Sequence, residues 1–163
     1  TMGVMNNNAK GLTPQDRDDV ATYLASLRHH ILKVEPYKGS NLAELKASGI
    51  IPVGESYKGK SLVEWGQGVG VRPEGKEVPA CKACHGYNGV GSALMHPQIN
   101  QQTYVYLVNQ LKYWRDGSRA NDPLGQMRAV ARNMTDEDIY NAAAYLTNAS
   151  SYSPGNSTSP YEY

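Results

Sequence analysis

Phenylalanine is absent from the 163 residues, so the aromatic bulk rests on twelve tyrosines and two tryptophans. Their hydroxyl and indole groups each need a partner or an exit to solvent when the ring is buried. Cysteine is nearly absent as well: Cys81 and Cys84 are the only two. Two thiols three positions apart exclude a disulfide-laced scaffold, and a bridge between them would close too small a loop to brace anything. No apolar run approaches the roughly 20 residues of a membrane-spanning helix. Net charge is only +1, so nothing draws nucleic acid to the chain and none is expected as a partner. No stretch alternates as a strand would. No Gly-x-Ser-x-Gly elbow is present to support a serine nucleophile. There is no secretory signal and the chain opens on Thr1, so a processed or truncated product is expected. The hydrophobic share of 40% still suffices for one modest core.

What is present is concentrated in five residues. Cys81-Lys82-Ala83-Cys84-His85 is a CxxCH sequence, the attachment signature of a covalent c-type heme. Two thiols at this spacing add across the vinyl groups as thioethers. The histidine that follows hands a ring nitrogen to the iron. Other chemistries fit less well. A thioredoxin-like CxxC needs a βαβ setting, and no nearby pattern supplies one. A zinc site could draw on Cys81, Cys84, His85 and His96, but adjacent Cys and His side chains suit a tetrahedron poorly. The motif predicts one covalent heme c with His85 as an iron ligand. Such attachment takes place outside the bacterial cytoplasm, so the expected location is periplasmic, soluble or peripheral.

Helical signals surround the motif. Thr13-Pro14-Gln15-Asp16 opens a first helix with a cap, a proline at the first position and an acidic residue three after the cap. Val20, Leu24, Leu27 and Ile31 then recur at helical spacing. Residues 33–56 read as a Pro/Gly-rich connector with a short helix near Asn41 to Lys46. Lys58 to Gly66 reads as another helix, followed by a loop over 67–79. Beyond the motif a second loop, Gly86 to Gln98, leads to a longer helix over about Gln101 to Asp116. Its apolar face is Tyr104, Leu107, Val108, Leu111 and Trp114, and Gly117 ends it. Thr135-Asp136-Glu137-Asp138 caps a last helix with Ile139, Ala142, Ala143 and Leu146 facing inward.

The two capped helices are related. Setting Met5 on Met127 aligns Ala9 with Ala131, Thr13 with Thr135 and Asp16 with Asp138. Ala21, Tyr23 and Leu24 then fall on Ala143, Tyr145 and Leu146 without a gap. Self-similarity of this kind marks a duplicated structural unit. Only one CxxCH exists, so the first thirty or so residues read as the back half of a heme domain whose front half is absent. Shared capping grammar would explain Thr13 and Asp16, but not the methionine or the Ala-x-Tyr-Leu.

His85 leaves one axial position of the iron to fill. Met/His ligation occupies both positions and suits electron transfer. Met95 follows too closely after His85 to reach the opposite face. Met134 stands in an apolar slot before Thr135, where core packing is expected. Met127 lies in the irregular stretch Asn121 to Arg128, where a chain leaving the helix at Gly117 can cross the far heme face. It is the preferred ligand. A core-filling Met127 and ligation by His96 are the alternatives. His29 and His30 close the first helix and read as surface residues.

Together these residues resemble the class I cytochromes c of the bacterial periplasm, above all the domains of their two-heme (diheme) members. Pro79 to Gly91 is similar to that family's attachment segment. Pro97-Gln98-Ile99-Asn100-Gln101 is similar to its Pro-x-Leu-x-Gly-Gln element, with Asn100 in the glycine place. Tyr104 to Arg119, Asn121-Asp122-Pro123 to Met127, and Thr135 to Leu146 complete a likeness covering residues 57–149. The resemblance implies thioethers on Cys81 and Cys84 and axial ligation by His85 and Met127. It implies a hydrogen bond from His85 to the Pro97 carbonyl, and a meeting of Gly59 with Tyr145 where the first and last helices cross. It also puts Gln101, Tyr104 and Arg119 near the heme or its propionates. Met5 would be the axial methionine of a second heme whose histidine and cysteines lie outside this chain. The stretch from Gly59 to Cys81 is longer than in compact members.

The expected architecture is all-α, a class I cytochrome c fold around one covalent heme. Residues 1–32 are expected to be the C-terminal part of another cytochrome c domain, 33–56 a linker, 57–149 the heme domain and 150–163 a mobile tail. The expected function is electron transfer between periplasmic redox partners rather than enzymatic catalysis. A companion chain could complete the first domain. The alternative is a heme relay subunit or domain of a larger periplasmic dehydrogenase or oxidase. A heme with an open catalytic site would require that Met127 not bind.

Overall fold

Helix caps act over a single turn, and the helices that follow Thr13, Asn41 and Thr135 begin where those side chains cap them. The computed structural model describes residues 7–26, 41–67, 76–92 and 96–150. Met5, His29, His30, Leu27, Ile31, Met95 and the tail from residue 151 lie outside the described residues. The chain divides into two units, Thr1–Val34 and Glu35–Tyr163.

In the first unit residues 7–10 are helical, and α1 follows over Pro14–Ser26. Thr13 and Asp16 close a reciprocal cap. The Thr13 amide (2.8 Å) and hydroxyl (2.7 Å) donate to Asp16 Oδ2, and the Asp16 amide returns a bond to Thr13 Oγ1 at 3.1 Å. Every described side chain from 7 to 23 is exposed.

The second unit carries α2 (Leu42–Ser48), α3 (Ser56–Trp65), α4 (Lys82–His85), α5 (Tyr104–Asp116), α6 (Gln126–Arg132) and α7 (Asp136–Leu146). Short 3-10 turns stand at Tyr87–Gly89 and Pro123–Gly125. Two isolated bridges, Gln67 with Val78 and Ser92 with His96, are the β pairing among the described residues. The unit is therefore all-α. Its core joins Leu62 and Val63 of α3, Tyr104, Leu107 and Val108 of α5, and Ile139, Ala142, Ala143 and Leu146 of α7. Each large apolar side chain buried this way stabilises by roughly 1.5–3 kcal/mol.

α3 and α7 cross at Gly59. A Cβ built there would lie 1.9 Å from the Asn141 carbonyl oxygen and 2.9 Å from Tyr145 Cβ, so only glycine permits this approach. α7 repeats the cap of α1. The Thr135 amide (2.6 Å) and hydroxyl (2.7 Å) donate to Asp138 Oδ2, and the Asp138 amide donates to Thr135 Oγ1 at 3.1 Å.

Residues 41–55, read from sequence as connector, run along this core. Leu42, Leu45, Ile51 and Val53 pack against it. Tyr104 Oη donates to the Pro52 carbonyl (2.7 Å) and accepts from the Gly54 amide (3.2 Å). The Glu55 amide donates to Asn141 Oδ1 at 2.7 Å.

Candidate heme site

The CxxCH segment folds as one helical turn because its amides find carbonyls close behind them. The His85 amide donates to Cys81 O at 2.9 Å and the Gly86 amide to Lys82 O at 3.0 Å. The turn is tied down on its outer side. Lys82 Nζ sits 3.5 Å from Glu64 Oε2 and 4.0 Å from the centre of the Trp65 ring. Glu64 is buried, and its Oε1 accepts the Asn88 amide at 3.2 Å. Asn88 Oδ1 in turn accepts the Tyr145 hydroxyl of α7. Burial, with the Glu64 charge nearby, pushes the Tyr145 hydroxyl up to about 12. No sequence pattern announced Glu64, which reads as an ordinary polar helix position.

His85 is buried, and its ring Nδ1 donates to the Pro97 carbonyl at 2.8 Å. A carbonyl only accepts, so the proton is on Nδ1, and the lone pair of Nε2 is left for a metal. Burial lowers the pKa of the ring, the Pro97 bond partly opposes this, and His96 adds to the lowering. Neutral imidazole is the ligating form. Burial also pushes the Cys81 thiol up to about 11. Cys81 and Cys84 are unbridged.

A cavity of about 450 Å³ opens beside them. Cys81, Cys84, His85, His96 and Pro97 line one part of it, and Met127, Gln126, Asp122 and Pro123 another. Ile99, Leu107, Leu111, Val130 and Leu146 give it apolar walls, and Tyr106, Gln110, Trp114 and Arg119 stand along α5 and just beyond it. A flat apolar macrocycle with polar edges matches this donor set: two thiols, one oriented imidazole, one thioether and a guanidinium. Among the described residues no group of three or more His, Cys, Asp or Glu side chains could hold a bare metal ion. A second groove of about 640 Å³, between α3 and the start of α7, is lined by none of the residues the sequence assigns to the heme; Met134, set aside there as a ligand, lines both.

The cavity thus brings together Cys81, Cys84, His85, Pro97, Arg119 and Met127. Two candidates fall elsewhere. α5 starts at Tyr104 rather than Gln101, and Tyr104 lies in the core, where its hydroxyl reaches Pro52 and Gly54. Gln101 has φ 59 and gives its amide to Leu146 O at 2.8 Å, so it forms a turn ahead of the helix. Tyr106, Gln110 and Trp114 line the cavity in their place, and their spacing of four was the signal available in the sequence. Arg119 is held at the rim. Its Nη1 donates to Gln110 Oε1 (2.7 Å), its Nε to Asn121 Oδ1 (3.1 Å), and its guanidinium lies 4.2 Å from the Trp114 ring centre.

Met127 does not sit in an irregular stretch. It lies in the first turn of α6, entered through Leu124 and Gly125, both at positive φ. Asp122 is buried beside it, and burial alone would raise its carboxyl. Hydrogen bonds from the Arg128 amide and guanidinium outweigh that and hold its pKa below the usual value.

An all-α unit whose CxxCH turn opens on such a cleft defines a covalent heme-binding protein. The family model described as Cytochrome c matches residues 73–150. Cytochrome c-554(548) of Halomonas halodenitrificans is 37% identical over 71 residues, 44% of this chain and 86% of that protein. The thiosulfate dehydrogenase electron acceptor of Thiomonas intermedia (strain K12) is 43% identical over 84 residues, 52% of this chain and 38% of that one. The crystal structure of reduced recombinant cytochrome c4 from Pseudomonas stutzeri matches with 31% identity and a TM-score of 0.50, over 61% of this chain and 53% of that one. The chain belongs to the cytochrome c family, and its cofactor is covalent heme c at Cys81 and Cys84. It spans well under half the length of such curated relatives as the Thiomonas protein. Among the described residues no helix is long and apolar enough to cross a membrane.

Proposed function

We propose that the chain is an electron carrier, with His85 and Met127 as the two axial ligands. Bound heme supplies a one-electron couple between Fe(III) and Fe(II). The observation that carries the reading is that an oriented His85 and Met127 line one cavity, and would offer a ligand to either face of a bound heme; His96 and Met134 line it too, but His96 stands beside His85, 5.8 Å ring to ring, and Met134 is buried in the core. The Pro97 carbonyl fixes the ring of His85 and strengthens it as a donor. Arg119, pinned at the rim, is placed to meet a propionate. No coordination site is then left for a substrate, and this favours a carrier over an enzyme. The test is the spectrum of the ferric protein. A Met-to-iron charge-transfer band that disappears in Met127→Ala supports the reading. A high-spin ferric spectrum in the wild type sinks it.

A second reading, a relay for a larger periplasmic dehydrogenase or oxidase, draws on the Thiomonas relative, which is by name a thiosulfate dehydrogenase electron acceptor. Transient docking of such a partner near Tyr106, exposed at the cavity, fits either reading.

Residues 1–32 we read as the rear part of another cytochrome c domain, with Met5 as the ligand of a second heme. Two observations support this. The caps at Thr13 and Thr135 make the same three bonds. The positions that α7 buries are exposed on α1: Val20 is 47% exposed where its counterpart Ala142 is 1% exposed. Heme content per polypeptide, with denaturing intact mass on the same sample, tests it. Two hemes with a second heme-bearing fragment would support a companion chain, and one heme with this chain alone would remove it.

A further inference from the structure

The loop that delivers Met127 is closed on itself by one carboxylate. Asp122 Oδ2 accepts the backbone amide of Arg128 at 3.0 Å, and Oδ1 accepts Arg128 Nε at 2.7 Å. The Gly125 amide adds a bond to the Asp122 carbonyl at 3.2 Å. The Asp122 side chain is 3% exposed, against 30% for Arg128. Asp122 therefore ties together the two ends of a seven-residue loop, and the amide it holds belongs to the peptide bond that follows Met127.

The loop has little else to keep its shape. Leu124 has φ 56 and Gly125 φ 70, two successive residues in the left-handed region. A bulky side chain resists that conformation. Leu124 gains nothing in return, because it is 97% exposed. Gly125, the N-cap of α6, has no side chain, and the Asp122 carboxylate caps the helix from three residues further back by taking the Arg128 amide of its first turn. Neither packing of Leu124 nor local preference accounts for the entry to α6; the Asp122–Arg128 bonds do.

We propose that Asp122 is a positioning residue for the axial thioether: by fixing the Met127–Arg128 peptide it keeps the Met127 side chain in the cavity against competing ligands. The proposal rests on Met127 as a ligand and extends that reading to a neighbour that never touches the iron. Releasing the carboxylate would let the loop relax from its left-handed turn and carry Met127 away. The helix beyond, anchored by Ala131 in the core, would stay.

The experiment is imidazole binding to the ferric holoprotein, followed by spectroscopy and stopped flow, in wild type, Met127→Ala, Asp122→Asn and Asp122→Glu. The expected result is a Met-to-iron band in the wild type and its absence in M127A. D122N should keep full heme content, weaken the band, and bind imidazole at least tenfold more tightly through faster association. D122E, which restores the charge, should recover part of the difference. A D122N protein with wild-type band and imidazole affinity overturns the proposal while leaving Met127 as ligand. A wild type indistinguishable from M127A overturns both. Should D122N not fold, Arg128→Ala removes only the Nε bond at a more exposed site. The guanidinium holds the Asp122 carboxylate against the Arg128 amide, so R128A should show the same changes as D122N on a smaller scale; an affinity and a band both unchanged overturn the clamp.

Discussion

Replacing Gly59 with alanine tests whether the crossing of α3 and α7 holds the heme unit together. The added methyl would stand 1.9 Å from the Asn141 carbonyl oxygen, 2.5 Å from its carbon and 2.9 Å from Tyr145 Cβ. The two nearest are backbone atoms of α7, so no change of rotamer relieves the clash. Ordinary contact begins near 3.4 Å, so the helices must part by about 1.5 Å. Separation would loosen Leu62 and Val63 against Ile139 and Ala142, and strain the bond from the Glu55 amide to Asn141. Overpacking costs roughly 1–3 kcal/mol, and more when backbone must move. Alanine returns about 1 kcal/mol through its better helix propensity. A clash with backbone on this scale belongs at the top of that range or just beyond it, about 3–4 kcal/mol, so the expected net loss is about 2–3 kcal/mol. Urea unfolding of the heme-loaded protein, read by circular dichroism and the Soret band, measures it. Gly117→Ala is the control. That Cβ meets nothing within 4 Å, but φ is 82, so its cost should be about 1–2 kcal/mol from backbone strain alone. A Gly59→Ala protein as stable as the wild type would refute the reasoning.

Other perturbations follow from the same geometry. Thr135→Ala removes the hydroxyl from the cap of α7 and should cost about 1 kcal/mol in urea unfolding, whereas Thr13→Ala, on the exposed α1, should leave the heme unit's transition in place. The hydrogen bond and charge of Arg115 hold the Asp136 carboxyl below its usual 3.8. Because the folded pKa is the lower one, its contribution is fully present above about pH 4 and is lost as pH falls through the folded value. Asp136→Asn should therefore flatten the acid limb of the stability curve, and an unaltered limb would contradict the assignment. Replacing both Cys81 and Cys84 with alanine should abolish the heme mass in denaturing spectrometry. Without heme the apolar side chains that wall the cleft of about 450 Å³, Leu107, Leu111, Val130 and Leu146 among them, lose their covering; each forgoes up to roughly 1.5–3 kcal/mol of burial, against a whole domain's stability of roughly 5–15 kcal/mol. The double variant should melt without a cooperative transition; a sharp one would show that the polypeptide holds its fold by itself.

Features carried by near neighbours in the chain were legible from sequence. The CxxCH turn, the Thr135–Asp138 cap and the apolar face of α5 each depend on residues within a few turns. The Pro97 bond was legible through resemblance, and the structure places His85, Pro97 and Met127 around one cavity. The helix α6 was not legible. Pro123, Leu124 and Gly125 look like a loop, and no side-chain cap announces the helix that begins straight after them. Tyr104 was assigned to the heme through resemblance; its place on the apolar face of α5 was legible, but its hydroxyl packs on Pro52 and Gly54, distant in sequence, instead of lining the cavity. The segment 41–55 looked like connector because of its prolines and glycines. Its attachments to Tyr104 and Asn141 span 50 and 86 positions in sequence, beyond the reach of any local pattern.

Those attachments decide where mechanical load enters the molecule. A pull on the chain from the side of residue 41 reaches Pro52, Gly54 and Glu55 before it reaches α3. There it is shared between the hydroxyl of Tyr104, on the helix that walls the heme cavity, and the amide side chain of Asn141, at the crossing of α3 and α7. The segment 41–55 is therefore harnessed to two helices that frame the cofactor, and strain placed on it is felt in the walls of the heme cleft.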